Sequence, residues 1–282
     1  MDRLSGRAGK NYERTPMAVM NFPARPATLL LLVALIACAA VRADETRSRQ
    51  FDVSGYDRIE LKGSSQLEVV QGDTFTVEAR GSAEAVASAG AEVHGDTLEL
   101  WVGNKREHFF GLVTISGDQS VRFRVTLPAV REILVTGSGE VRADTLESEA
   151  LELRVTGSGE LRVDKVAAES LLASITGSGD LLLGTVLAVD GEASIKGSGD
   201  LHLDSYAGES LKAEIKGSGD MTVGGRVAEL EVGLMGSGDF VGRKLQADSA
   251  GGSIMGSGDI VLRRPAQESF SVMGSGEIAL VE

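Results

Sequence analysis

From Ile133 onward the apolar positions return on a fixed beat. Val135, Val155, Ile175, Ile195, Ile215, Leu234, Ile254 and Val272 each stand two residues before a glycine. Val141, Leu161, Leu181, Leu201, Met221, Phe240, Ile260 and Ile278 each follow an acidic residue. Between the two columns lies Gly-Ser-Gly-Asp or Gly-Ser-Gly-Glu, beginning at Gly137, Gly157, Gly177, Gly197, Gly217, Gly236, Gly256 and Gly274. Polar residues fill most alternate places, and a period of two on both sides of the tetrapeptide predicts a strand, a corner and a second strand. A shorter apolar touch follows in each unit, at Leu146, Val166, Val186 or Tyr206.

The intervals between the tetrapeptides are 20, 20, 20, 20, 19, 20 and 18 residues. A fixed period near 20 marks a repeat architecture, in which each unit buries its apolar face only against its neighbours. A hairpin meander has no reason to demand the same residue at the same place in every unit. A coil of a solenoid does, because identical corners and identical aliphatic positions then stack as ladders. Leucine-rich repeats share the period but need a Leu-x-x-Leu-x-Leu frame with Asn or Cys, which this chain lacks. The fold class expected is therefore all-β, a right-handed parallel β-helix with coils of about 20 residues. At about 4.8 Å per coil, seven intervals make a rod of roughly 34 Å. Corners this sharp call for glycine, which reaches positive φ without steric cost.

Residues 44–130 read as a strand-rich N-terminal part of the same domain, and 131–282 as the perfect repeats. In the former, Ile59 and Leu61, Leu67 and Val69, Phe75 and Val77, Leu98 to Val102, and Val121 to Val125 alternate with polar residues, while Gly72-Asp73 and Gly95-Asp96 supply turns. Ser82 to Glu92, rich in Ala and Glu, is the one helix expected. Lys62-Gly63-Ser64-Ser65-Gln66-Leu67 reads as a worn copy of the repeat, and Asn104 to Gly111 as a loop.

Composition adds the compartment. Leu29 to Ala40 is an unbroken apolar or small run, preceded by Arg25 and followed by Val41-Arg42-Ala43. Twelve residues are too few to span a bilayer, and the flanks match a secretory signal with cleavage after Ala43. Residues 1–43 are read as this signal segment, its true start at Met17 or Met20. The only cysteine, Cys38, falls inside it, so an ordinary cleavage leaves a mature chain without thiol chemistry. Leu35-Ile36-Ala37-Cys38 also resembles a lipobox, in which Cys38 would be lipidated and anchor the protein. The whole chain carries a formal charge of −13, and loss of the segment removes six basic and two acidic residues, leaving −17. So acidic a surface argues against nucleic acid as partner. No further transmembrane span is expected.

Candidate chemistry concentrates in the acids of the corners: Glu140, Glu160, Asp180, Asp200, Asp220, Asp239, Asp259 and Glu277. Stacked carboxylates about 5 Å apart repel by roughly 0.9 kcal/mol per pair even in water, which invites a cation such as Ca2+. The competing reading is that they accept hydrogen bonds from corner amides and face solvent. A calcium-dependent polysaccharide lyase or hydrolase on a β-helix is the alternative function, since such enzymes join acids or calcium with a basic residue in a groove. A catalytic site breaks a repeat locally, however, and here the same acid recurs without interruption. His94, His108 and His202 share no metal spacing, and the serines of the corners lack the Gly-x-Ser-x-Gly elbow. Arg263-Arg264, Trp101 and Phe109-Phe110 are read as caps of the two ends. A non-enzyme without cofactor follows, with oligomerisation through an open coil end left undecided.

FDVSGYDRIEL at Phe51 to Leu61, the Gly72-Asp73 turn, VRFRVTLPAVREILVTGSGE at Val121 to Glu140, and the succession of Gly-Ser-Gly-acid units resemble the head GIN domain family of autotransporter adhesins. The resemblance covers nearly all of the mature chain. It implies an exported bacterial protein with a β-helical fold and a role in adhesion, with an envelope protein or glycan as partner, and it transfers no functional residue. With Glu282 directly following the last unit and no barrel behind it, the expectation is a periplasmic or outer-membrane-attached module.

Overall fold

The computed structural model describes residues 46–103 and 120–282. The chain divides into two units, Met1–Ala43 and Asp44–Glu282, and the described residues belong to the second. The expected signal segment with Met17, Met20, Cys38 and the cleavage point after Ala43 lies outside them. So do the expected loop at Asn104 to Gly111, His108 and Phe109-Phe110.

The N-terminal part contains β1 (Arg47–Phe51), β2 (Arg58–Gly63), β3 (Gln66–Gln71), β4 (Thr76–Gly81), α1 (Ala83–Ser88), β5 (Ala89–His94), β6 (Thr97–Val102), β7 (Arg122–Leu127) and β8 (Glu132–Gly137). Six long strands follow, each running almost once round the coil: β9 (Glu140–Gly157), β10 (Glu160–Gly177), β11 (Asp180–Gly197), β12 (Asp200–Gly217), β13 (Met221–Gly236) and β14 (Phe240–Gly256). The last turns are β15 (Ile260–Arg263), β16 (Gln267–Gly274) and β17 (Ile278–Val281). Together they form the β-solenoid expected, of about eight turns of about 20 residues.

Every pairing from β8 onward is parallel, with each residue over its counterpart one period away: Leu161 lies between Val141 and Leu181, and Gly177 between Gly157 and Gly197. A parallel ladder satisfies the backbone groups of a coil only through the coils above and below, so the register of one unit fixes the next. The worn copy takes its place in this stack. Gly63 is the register partner of Gly137, Ser138 N donates to Gly63 O at 2.9 Å, and Glu140 N donates to Ser65 O at 3.0 Å. β2 and β3 are sandwiched, since β6 and β8 flank β2 while β7 and β9 flank β3. The 19-residue unit absorbs its missing residue between Leu203 and Tyr206, opposite Gly225 at φ 107°.

The interior is the column pattern made solid. Val141, Leu161, Leu181, Leu201, Met221, Phe240 and Ile260 are all 0% exposed. Burying each such side chain is worth roughly 1.5–3 kcal/mol. Where one residue outgrows its column, a neighbour shrinks. A Cβ on Gly191 would lie 2.6 Å from Tyr206 Oη, so the glycine makes room for the ring in the next coil. A Cβ on Gly242 would lie 2.5 Å from Leu262 Cδ2 and 3.0 Å from Phe240 Cε1, so this glycine gives room to both side chains.

The N-terminal end is closed by antiparallel strands, β1 on β4 and β5 on β6, with Trp101 buried over Gly90. Trp101 packs on Gly90 on the face of β6 opposite Leu98 and Leu100, outside the main core cluster, and so is not the cover of the core's end that the sequence suggested. The helix is shorter than its composition suggests. Ser82 caps α1 through Ala85 N at 3.2 Å, but from Ala89 the chain turns extended and pairs with β6, because strand pairing under Trp101 outweighs the helical preference of Ala and Glu. At the other end Pro265 is buried and Arg264 N donates to Val281 O at 2.9 Å, while Val272 is 46% exposed.

Candidate functional site

The corner is built on two glycines that do different things. At Gly217 the backbone adopts φ 136°, and a Cβ there would also overlap the carbonyl oxygen of Gly197 beneath it. Gly219 has no unusual φ, yet its Cβ would overlap the oxygen of Gly199. The first glycine therefore serves conformation and close approach, the second close approach alone. The serine between them uses its amide, as in Ser158 N to Gly137 O at 2.8 Å, and leaves its side chain exposed.

This geometry brings all eight predicted acids into one column at the mouth of the second strand. Glu140, Glu160, Asp180 and Asp200 are successive register partners. Beyond Asp200 the column links itself. Asp220 N donates to Asp200 Oδ1 at 3.3 Å, Asp239 N to Asp220 Oδ1 at 2.9 Å, Asp259 N to Asp239 Oδ1 at 2.8 Å and Glu277 N to Asp259 Oδ1 at 2.8 Å. Each of these carboxylates thus accepts from the amide of the next acid. In the earlier coils a backbone oxygen fills that role, as in Glu160 N to Gly139 O at 2.9 Å. There the longer glutamates turn to arginines instead, Glu140 to Arg142 at 2.6 Å and Glu160 to Arg162 at 3.6 Å. Among the described residues, no group of three or more His, Cys, Asp or Glu side chains gathers where it could hold a metal ion.

The lateral faces change character along the stack. Toward the N-terminal end they carry ion pairs and polar bridges: Gln66 accepts from Arg122 at 3.0 Å and donates to Glu140 at 3.2 Å, beside a shallow depression of about 340 Å3. Midway, Glu214 sits between Lys212 and Lys216, both at 2.9 Å, and their hydrogen bonds pull its carboxyl down to about 2. Past that point the outward residue before the corner becomes methionine: Met235, Met255 and Met273 are 50%, 48% and 72% exposed. The early units have Thr136, Thr156, Thr176, Lys196 and Lys216 in that place. The sequence signal, Met-Gly-Ser-Gly in the last three complete units, is visible without coordinates but is masked by the more conspicuous tetrapeptide after it. His94 pairs with Glu92 at 3.2 Å, and His202 stands on an outward column.

What this defines is a β-solenoid of near-identical coils with regular side faces. The family model described as "Putative auto-transporter adhesin, head GIN domain" matches residues 55–194 and 184–281, and the chain belongs to that family. Solved structures with the same fold include a "putative adhesin" of Parabacteroides distasonis, with a TM-score of 0.76 at 18% identity over 85% of this chain and 98% of that one. Another "putative adhesin", of Bacteroides fragilis, has a TM-score of 0.67 at 19% identity over 85% and 98% of the two chains. A "putative lipid binding protein" of Parabacteroides distasonis has a TM-score of 0.61 at 22% identity over 84% and 97%. No curated protein matches the chain. No helix among the described residues is long and apolar enough to cross a membrane.

Proposed function

We propose that Asp44–Glu282 is a non-catalytic, adhesin-like binding module of the bacterial envelope that contacts a polysaccharide or another envelope protein through its lateral faces. One observation carries this reading: coil after coil presents the same side-chain type at the same place, as the eight-acid column does. A repetitive surface of this kind suits a repetitive ligand, because many weak contacts at fixed spacing add to a strong one. Membership of the adhesin family supports it, as does the export signal read at residues 1–43.

The test is retention of purified Asp44–Glu282 on immobilised lipopolysaccharide, peptidoglycan and mucin. Saturable binding to one of them is expected, weakened when the charge of a lateral face is reversed by Arg142→Glu with Arg162→Glu. Absence of binding together with calcium-dependent release of unsaturated uronates from pectate or alginate would replace this reading with a lyase. Fractionation of cells making the full chain, native or Cys38→Ser, tests the envelope location and the lipid anchor.

A further inference from the structure

The described residues include four methionines, and their placement is uneven. Met221 is buried in the core at 0% exposure, whereas Met235, Met255 and Met273 share one outward column. Met235 is the register partner of Met255, and Met255 of Met273, so their Cα atoms follow the ladder spacing of about 4.8 Å. We propose that this column is a binding site for one soft monovalent metal ion, Cu(I) in a cell, held by the three thioether sulfurs.

Ligand chemistry selects the metal. A thioether is a soft, neutral donor that favours Cu(I) over the hard divalent cations taken by carboxylates and carbonyls. Three unbranched side chains with three rotatable bonds each can lean from consecutive coils toward a common point, the outer two toward Met255. Nothing bulky crowds them on the same strands, because the outward residues two places earlier are Gly233, Ser253 and Ser271. Negative charge lies close by: each methionine is followed four residues later by an acid, Asp239, Asp259 or Glu277, no more than about 14 Å along the backbone. Lys216, the register partner of Met235 one coil earlier, is engaged by Glu214 at 2.9 Å. A column serving only apolar contact would be filled as well by Leu or Val, yet all three places hold sulfur.

Ag(I) is the air-stable probe, titrated into Asp44–Glu282, a unit that contains its own core and lacks Cys38. One equivalent is expected to bind by native mass spectrometry and calorimetry, with Cu(I) competing when presented from a chelator. Met255→Leu should weaken binding at least tenfold, and the triple Met235→Leu, Met255→Leu, Met273→Leu variant should abolish it. Leucine keeps the apolar area and the fold, which circular dichroism verifies. The proposal is overturned if the triple variant binds Ag(I) as the native protein does, if neither binds, or if Ca2+ at the same concentration displaces Ag(I). Since glycan retention is measured separately, failure here leaves the adhesin-like reading intact.

Discussion

The pairing of Gly191 with Tyr206 gives the sharpest test of how this core is packed. In the two preceding coils the same fifteen-residue offset joins Leu151 to Val166 and Leu171 to Val186, all buried. In the next, the aliphatic pair is replaced by nothing and a ring: Tyr206 is 0% exposed, its hydroxyl donates to Ser210 O at 2.6 Å, and a Cβ on Gly191 would sit 2.6 Å from Tyr206 Oη and 2.9 Å from Tyr206 Cε2. Gly191→Leu forces about four heavy atoms into occupied space and should cost about 3 kcal/mol. Tyr206→Val leaves the ring's volume empty and should cost about the same. The double variant restores the pair used one and two coils below. It should lose only about 2–3 kcal/mol, leaving some space at Gly208, so the coupling between the sites is about 3 kcal/mol. In a domain of this size that separates the double variant from the additive sum by about 6–12 °C in melting temperature. Circular dichroism through urea and thermal unfolding of the four proteins reads the cycle. Additivity within about 0.5 kcal/mol would refute the idea that the glycine exists to admit the ring.

The two buried tyrosines make a second case. Burial pushes Tyr56 up to about 12, and burial aided by the charge of Asp190 pushes Tyr206 up to about 12. A pKa raised on folding means that stability is intact below the ordinary value near 10 and drains away as pH climbs from 10 toward 12, by up to about 3 kcal/mol per group. Melting curves across that range should show the fall, and Tyr206→Phe should remove part of it; a flat profile would contradict the argument. Gly217→Ala should cost more than 3 kcal/mol because it meets both positive φ and the oxygen of Gly197, while Gly233→Ala, whose Cβ would find only Glu214 Cγ at 3.8 Å, should change stability by less than about 0.5 kcal/mol. Asp239→Asn keeps an oxygen for Asp259 N and should be nearly neutral, whereas Asp239→Ala should cost about 1 kcal/mol by denaturant titration. Calcium needs six to eight oxygens, and one oxygen of each carboxylate from Asp200 to Asp259 already accepts an amide. Millimolar Ca2+ should therefore leave the melting temperature unchanged, and a saturable upward shift would support the cation reading instead.

The fold was legible because a solenoid writes its cross-section into its sequence. The same side chain must recur wherever coils stack, so the columns at Val135 and Val141 announced the sheet faces, and even the worn corner at Gly63 could be recognised by its remaining glycine and serines. What resisted reading is what depends on contacts between unlike positions. Ala and Glu after Ser82 favour a helix locally, but the chain from Ala89 folds back across the Gly95-Asp96 turn to pair with β6 and pack on Trp101, a hairpin contact that outweighs that preference. Gly191 looks like one more turn glycine until the ring fifteen residues later is placed on it. The acid column is read from the sequence as stacked carboxylates that either invite a cation or accept from the amides of their own corners; it does stack, and Asp200, Asp220, Asp239 and Asp259 accept an amide, but that of the next acid one coil on, a contact set by corner geometry. Glutamate in the same column reaches past that amide to an arginine two residues away. The ion-paired glutamates Glu140 and Glu160 thus lie in the N-terminal portion of the column, whereas the self-linked run begins only at Asp200 and extends into the coils that carry the methionines, so coil position as well as side-chain length decides whether a corner acid serves the backbone or the surface.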